Sequence, residues 1–269
     1  MELTPMLLLA VLGFLTGICA GLLGIGGGTL IVPGLLVIFH VLNLHLASDM
    51  HTAMATSLAA MIFTASSSTF SRWKRGDINW EPVRIMTLPI VVGVVLGTLL
   101  SARLNAAVLK FIFAIVILCI ALRMIIPPGP KAGERTYKSI LWQMLPMSLI
   151  IGLKSGLLGV GGGPLSVPFL NHLGLDMRKS TGTSTFFTLP VALTGTLTYY
   201  VLAQTGLANH LGGVGGLVYW PAVLMVVPFS MAGAPVGSLI SRRISGHWLK
   251  IVFALFLILI AVALLTGLA

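Results

Sequence analysis

Charged residues, and acidic residues above all, are scarce in this 269-residue chain. Only 8% of the residues are Asp, Glu, Lys or Arg and just six are acidic, whereas 57% are hydrophobic. Because a soluble domain carries roughly a quarter charged residues, this composition excludes an ordinary water-soluble fold. The two cysteines, Cys19 and Cys119, both lie within apolar stretches, so no disulfide is predicted. The mean hydropathy of +1.05 indicates a polytopic membrane protein embedded in a lipid bilayer.

The scarcity of carboxylates also restricts the function. All six fall at the ends of apolar segments or between them, at Glu2, Asp49, Asp77, Glu81, Glu134 and Asp176. A cation carrier would be expected to have a carboxylate in its pathway, so this placement favours an anionic substrate. The chain contains no phosphate-binding loop and no complete dinucleotide fingerprint, and no nucleophile–base pair is evident within the apolar segments. We therefore predict no enzyme activity, no cofactor and no metal site. The basic residues cluster at segment ends, which indicates membrane topology and not nucleic-acid binding.

A glycine-rich motif occurs twice, 135 residues apart. Residues 17–33 read GICAGLLGIGGGTLIVP and residues 152–168 read GLKSGLLGVGGGPLSVP, with 11 of 17 positions identical. Adjacent glycines and a proline are unfavourable inside a helix. Each copy lies within an apolar run of 33 to 35 residues, at 6–40 and 140–172, whereas one bilayer crossing takes about 20 residues. We therefore predict that each run is a re-entrant helical hairpin broken at its glycines.

Three further apolar runs follow each hairpin, at 50–71, 85–102, 106–126, 178–203, 217–241 and 246–268. Their lengths predict three transmembrane helices in each half. The halves also match outside the glycine motif, since the sequence Ala-Thr-Ser at 55–57 corresponds to Gly-Thr-Ser at 182–184. The sequence therefore predicts an all-α polytopic membrane protein with an N-terminal repeat at 1–126, a cytoplasmic linker at 127–139 and a C-terminal repeat at 140–269.

The basic residues predict the relative orientation of the two repeats. If each glycine-broken run crossed the membrane once, eight basic residues would lie on one side and seven on the other, against the positive-inside rule. If each run turns back, thirteen lie on one side, only Arg103 and Lys110 lie opposite, and Lys154 lies inside a hairpin. The hairpin topology makes the repeats inverted, an arrangement that recurs in secondary transporters. Both termini are then extracytoplasmic.

The hairpin tips are the predicted substrate site. A helix that resumes after the glycines presents free amide groups and the positive end of its dipole, which suit an anion. The predicted binding residues are the tip residues and the duplicated hydroxyls of the next span, namely Gly26, Gly27, Gly28, Thr29, Thr56, Ser57, Gly161, Gly162, Gly163, Thr183 and Ser184. The alternative for the hydroxyls is bonding to their own helix backbone. For Gly17, Gly21, Gly152 and Gly156, the spacing predicts close helix packing.

Two ionisable residues are further candidates. Lys154 stands where the first copy has Cys19, and we predict that it binds the substrate or takes part in gating. The alternative is that Lys154 snorkels to the membrane interface. His51 begins the second apolar run and is a candidate for gating or proton coupling, with an interfacial polar role as the alternative.

With two copies of Gly-Leu-Leu-Gly-x-Gly-Gly-Gly…Pro, at 21–33 and 156–168, the chain resembles the TauE/SafE family of sulfite exporters and anion permeases over nearly its whole length. The resemblance implies a multi-pass protein of the bacterial inner membrane that moves small sulfur-containing anions, such as sulfite, sulfonates or thiosulfate, often outward. Its expected partners are that anion and the lipid bilayer, with no nucleic acid. A passive anion channel and, less favoured, an intramembrane enzyme are the alternatives, and the oligomeric state is left open.

Overall fold

The described part of the chain is a bundle of α-helices. The structure is a computed structural model that describes residues 3–23, 27–42, 48–125, 137–205 and 217–240, together with 254–255, 257–262 and 264. These residues contain no β-strand, and those at 254–264 are helical. The bounded helices within them are α1 (Leu3–Leu23), α2 (Gly28–Val41), α3 (Asp49–Lys74), α4 (Trp80–Arg103), α5 (Ala106–Ile125), α6 (Tyr137–Leu158), α7 (Gly163–His172), α8 (Met177–Gln204) and α9 (Trp220–Ile240).

Four helices in the described ranges, α1, α4, α8 and α9, are long and apolar enough to cross a membrane. The predicted all-helical membrane class is therefore confirmed. The least apolar of the long helices, α3, is rich in Ala, Ser and Thr and lies at the centre of the bundle, where it contacts α1, α2, α5, α8 and α9. Small side chains suit this position because they allow several helices to approach one helix closely. Most of the predicted linker lies outside the described residues.

Both glycine-rich segments interrupt the helix, as predicted. The first break separates α1 from α2 and the second separates α6 from α7. Gly27 has φ +80° and Gly159 has φ +66°, a left-handed conformation that costs a residue with a side chain about 1–2 kcal/mol. Gly162, which corresponds to Gly27 in the second copy, has φ −61°. The two breaks therefore differ in backbone conformation although their sequences match.

The same helix pairing occurs in both halves. The first helix of the first motif, α1, lies along α9, and the first helix of the second motif, α6, lies along α4. A methyl group added to Gly17 would lie 2.3 Å from the carbonyl oxygen of Ser230, and one added to Gly152 would lie 2.1 Å from that of Ile90. Because only a glycine leaves room for such a close backbone, the predicted packing role is confirmed at Gly17 and Gly152, and likewise at Gly156.

Polar contacts between distant segments show which helix ends lie together. Arg72 near the end of α3 donates to the hydroxyl of Thr181 near the start of α8. The amide of Asn79, just before α4, donates to the hydroxyl of Thr183 on α8. The end of α3 and the starts of α4 and α8 therefore lie together, and α3 and α8 run antiparallel. We call this the basic end of the bundle, since its residues include Arg72, Lys74, Arg75, Arg178 and Lys179.

Candidate functional site

The two glycine-rich breaks meet inside the bundle. A methyl group added to Gly28, the first residue of α2, would lie 3.0 Å from the carbonyl oxygen of Gly159 in the second break and 2.7 Å from the sulfur of Met61 on α3. The hydroxyl of Ser57 donates to the same Gly159 carbonyl at 3.0 Å. The structure thus brings two predicted site residues of the first half, Gly28 and Ser57, against Gly159 of the second break, which was not among the predicted site residues. Gly26 lies outside the described residues.

The first break presents the N-terminus of α2. The carbonyl of Gly27 accepts the amides of Leu30 and Ile31, which leaves the first amides of the helix, at Gly28 and Thr29, outside the intrahelical bonding. Among the described residues, the Thr29 hydroxyl has no hydrogen-bond partner, although Thr29 is only 1% exposed. Buried hydroxyls normally have a partner. This terminus therefore offers unused donors together with the positive end of the helix dipole.

The second break presents the N-terminus of α7, with a different set of groups. The carbonyl of Gly162 accepts the amides of Leu165 and Ser166, and Pro164 has no amide to offer. The hydroxyl of Ser166 lies 2.7 Å from that of Ser184 on α8. Because Pro164 stands where the first copy has Thr29, this terminus has one amide fewer than α2, and its hydroxyl, on Ser166, already has partners.

Lys154 adds a positive charge beside the second break. Its side chain is 7% exposed, and its Nζ donates to the carbonyl of Gly161 at 3.2 Å. In the described part of the chain it forms no ion pair. Lys154 also lines a cavity of about 550 Å³ between α5, α6 and α7, whose other described walls are apolar apart from His172 and include Cys119, Ile150 and Pro168. The described residues thus place a buried cation between an apolar cavity and the second glycine break.

The duplicated threonines bond to the start of a distant helix. Thr56 accepts the amide of Tyr219, which precedes α9, and Thr183 accepts the amide of Asn79, which precedes α4, both at 2.9 Å. These two contacts occupy matching places in the two halves. Each threonine therefore holds the N-terminus of another helix in place, whereas the Ser57 hydroxyl donates to a carbonyl of the second glycine break.

We expect Thr56→Val and Thr183→Val each to lower the free energy of unfolding by about 1–3 kcal/mol, because each leaves a backbone amide without its partner. The matched control is Thr196→Val on α8, since the buried hydroxyl of Thr196 has no partner to lose. Unfolding of the purified proteins in detergent, followed by circular dichroism against temperature or denaturant, measures the difference. Equal stability of all three variants would contradict the structural role of Thr56 and Thr183.

His51, the candidate for gating, is fully buried at the start of α3, opposite the basic end. Its Nε2 lies 3.0 Å from the carbonyl oxygen of Ser101 on α4, and its Nδ1 lies 2.6 Å from the hydroxyl of Ser48. Since a carbonyl can only accept, Nε2 carries a proton. The hydroxyl of Ser101 in turn lies 2.8 Å from that of Tyr199 on α8. His51 therefore ties α3 to α4 within a polar network.

Arg72 is not among the residues that the sequence predicted for the site, because its charge reads as one of those that set the topology. The side chain is 4% exposed, and its guanidinium donates to the carbonyl of Gly21 in the first glycine motif at 2.7 Å. The available sequence signal was the four-residue spacing of Thr64, Ser68 and Arg72, which places three polar residues along one side of α3. Elsewhere among the described residues, no group of three or more His, Cys, Asp or Glu side chains could hold a metal ion.

Comparisons with known proteins agree with the sequence resemblance. The family model described as "Sulfite exporter TauE/SafE" matches residues 9–264. A probable membrane transporter protein of Haemophilus influenzae is 32% identical over 266 residues, which cover 96% of this chain and 97% of the relative. The probable membrane transporter protein YunE of Bacillus subtilis is 26% identical, with 96% of each chain covered. A third relative, MJ0441 of Methanocaldococcus jannaschii, is 28% identical over 92% of this chain and 90% of its own. No solved structure matches the chain.

Proposed function

The chain belongs to the sulfite exporter TauE/SafE family, and we propose that it is a secondary transporter of small sulfur-containing anions such as sulfite, sulfonates or thiosulfate. Its family and its relatives make it a membrane transporter. The observation that carries the anion proposal is the meeting of the two glycine breaks at Gly28 and Gly159, inside the bundle.

The charges around the breaks support an anionic substrate. The α2 terminus offers amides and the unpartnered Thr29 hydroxyl, and the second break has Lys154 beside it. The acidic residues in the described ranges lie at or between helix ends, at Asp49, Asp77, Glu81 and Asp176. A sulfur oxyanion accepts hydrogen bonds through several oxygens, so amides, hydroxyls and one ammonium group together suit it.

The proposed mechanism is alternating access between two inverted repeats, each a glycine-broken hairpin followed by three spans. Its support is that α1 pairs with α9 as α6 pairs with α4, and that α3 and α8 run antiparallel. Helices related by an axis in the membrane plane must point in opposite directions, as α3 and α8 do. The first helix of each motif packs against a helix of the other half, α1 against α9 and α6 against α4. A rocking motion of one half would therefore move the glycine break of the other half.

The proposed orientation puts the basic end in the cytoplasm and both termini outside, in the cytoplasmic membrane of a bacterium. It follows the positive-inside rule. Its support is the contact between Arg72 and Thr181, because this contact puts Arg178 and Lys179 at the same end as Lys74 and Arg75.

The test is transport by the purified protein in liposomes. We expect saturable uptake of sulfite, thiosulfate or a small sulfonate, together with counterflow of the same anion from preloaded vesicles. A channel would give conductance without counterflow, and no flux across this panel would contradict the proposal.

A matched pair of glycine variants tests whether the meeting point of the breaks is the transport site. Gly28→Ala adds a methyl group that displaces Met61 and presses on the Gly159 carbonyl, whereas Gly34→Ala on the same helix presses on the flexible side chain of Leu12. We expect Gly28→Ala to lower the transport rate at least about 10-fold, because the added methyl group moves the groups that bind the anion by a fraction of an ångström. Gly34→Ala should retain transport. Equal rates in the two variants would place the transport site elsewhere.

A further inference from the structure

Three polar residues follow one another at four-residue spacing near the end of α3, and they are all buried. Thr64, Ser68 and Arg72 are 0%, 3% and 4% exposed. The Thr64 hydroxyl lies 2.7 Å from that of Ser230 on α9. Within the ranges that the structure describes, the Ser68 hydroxyl and the Nε of Arg72 have no hydrogen-bond partner. Since residues four apart in a helix lie one above the other, these unused donors belong to the same side of α3.

Arg72 forms no direct ion pair with any side chain in the described part of the chain. Its two terminal nitrogens donate to the hydroxyl of Thr181 and the carbonyl of Gly21, and both of these acceptors are neutral. Asp77 lies just beyond the end of α3, where its amide donates to the Arg72 carbonyl and its carboxylate attracts the Arg72 guanidinium, but its direct ion pair is with Arg75 at 3.3 Å. A buried charge is costly unless an opposite charge neutralises it. Because Asp77 is shared with Arg75, the Arg72 charge is only partly compensated, and a bound anion would complete its neutralisation.

The location of Arg72 connects it with the first glycine break. Gly21, whose carbonyl it holds, lies in the last turn of α1, just before that break. In the second half, the position that corresponds to Arg72 lies 127 residues later and is occupied by Tyr199. The Tyr199 hydroxyl lies 2.8 Å from that of Ser101. The second break has Lys154 instead. Each glycine motif thus has one buried cation in contact with one of its carbonyls, but at non-equivalent positions.

We propose that Ser68 and Arg72 form an anion-binding subsite between the basic end and the first glycine break, which takes the transported oxyanion in transit. This inference rests on the proposed anion transport. The Nε–H of Arg72 and the hydroxyl of Ser68 donate to oxygens of the anion. Both donors are sealed from solvent in this structure, so the anion enters when the contact between Arg72 and Gly21 opens. Binding there is thereby coupled to movement of α1.

Ser68→Ala gives the cleanest test, because Ser68 has no protein partner to lose. The probe is thiosulfate, added to the purified full-length protein at constant ionic strength, and the shift of the unfolding midpoint gives its apparent affinity. We expect unchanged stability without thiosulfate and about 3- to 10-fold weaker thiosulfate binding, the effect of one lost hydrogen bond. The control is Ser67→Ala, whose hydroxyl contacts the Met231 carbonyl instead and which should bind as the unaltered protein does. Equal affinity in Ser68→Ala and Ser67→Ala would overturn the subsite.

Variants of Arg72 distinguish a role of its positive charge in anion binding from a purely structural role in the contact between α3 and α1. Arg72→Gln should weaken thiosulfate binding at least about 10-fold because a charge-assisted hydrogen bond is lost, whereas Arg72→Lys, which keeps the charge, should recover part of the affinity. The control Lys74→Gln makes the same change of charge nearby at an exposed side chain and should leave the affinity unchanged. Unchanged affinity in Arg72→Gln, together with lower stability in both Arg72 variants, would make Arg72 a purely structural clamp. If Arg72→Gln does not fold, Ser68→Ala decides.

The same titration separates this inference from the proposed function. If sulfite, thiosulfate and small sulfonates all fail to stabilise the unaltered protein, both the anion transport and the subsite are overturned. If the unaltered protein is stabilised and the variants at Ser68 and Arg72 respond equally well, only the subsite is overturned.

Discussion

Gly152→Ala is expected to eliminate most of the folded protein. The added methyl group would lie 2.1 Å from the carbonyl oxygen of Ile90, 2.9 Å from its carbonyl carbon and 3.0 Å from the Cα of Gly93. All three atoms belong to the backbone of α4, which cannot rotate away as a side chain can. The helices α4 and α6 must therefore separate along an extensive interface. We expect a cost of about 3 kcal/mol or more, at the upper end of the range for overpacked interiors.

The control for this prediction is Gly162→Ala, in the same glycine-rich motif. Gly162 has a helical φ of −61°, and its methyl group would come within 3.2 Å only of the Ile151 side chain. We expect this variant to reach the membrane and to unfold near the temperature of the unaltered protein. For each of the two variants, the measurements are the yield of protein after size-exclusion chromatography in detergent and the unfolding midpoint. Equal yields and midpoints for the two variants would contradict the close packing of α4 and α6.

Lys154→Met is expected to lower Vmax/KM for anion transport at least about 10-fold, mainly by raising KM. Lys154 supplies a buried positive charge beside the second glycine break, where Pro164 removes an amide. Methionine has a similar length and suits the apolar cavity, so the fold should survive. A charge-assisted bond to an anion contributes roughly 1.5–3 kcal/mol, which corresponds to a loss of about 10- to 100-fold. Initial rates of thiosulfate uptake into proteoliposomes measure the effect.

Lys110→Met is the matched control, because it removes the same charge from the start of α5. We expect its KM to stay within about 2-fold of the unaltered value, since exposed and partly exposed charges act weakly at a distance. Lys154→Arg, which keeps the charge, should recover part of the lost transport. If Lys154→Met transports with the original KM, Lys154 is a snorkelling residue and not part of the anion site.

The sequence predicted the helical architecture well because membrane segments follow local rules. Apolar runs of about 20 residues became helices, and the adjacent glycines became the breaks before Gly28 and Gly163. The duplicated sequence indicated two matching halves, and the structure adds that α1 pairs with α9 as α6 pairs with α4. Helix propensity and hydropathy act within a few residues, so neither needed a distant partner.

The roles of single polar residues were less predictable. Nothing in the sequence relates Thr56 to Tyr219 or Thr183 to Asn79, yet each threonine accepts the amide of that distant residue. Arg72 reads as one of many basic residues at a segment end, although its side chain is buried against Gly21. A side chain's partners depend on which helices pack against its own, and that packing is long-range.

The sequence by itself determined that this chain is a helical membrane transporter with two glycine-broken segments, because composition, segment length and the repeated motif are properties of the chain alone. The tertiary structure decided that the breaks touch at Gly28 and Gly159 and that the matching Gly27 and Gly162 differ in conformation. It also decided that one buried cation contacts each motif, Arg72 at Gly21 and Lys154 at Gly161. The physical reason is burial. A charge or a hydroxyl inside the bundle cannot bond to water, so its partners are the groups on the helices packed against it.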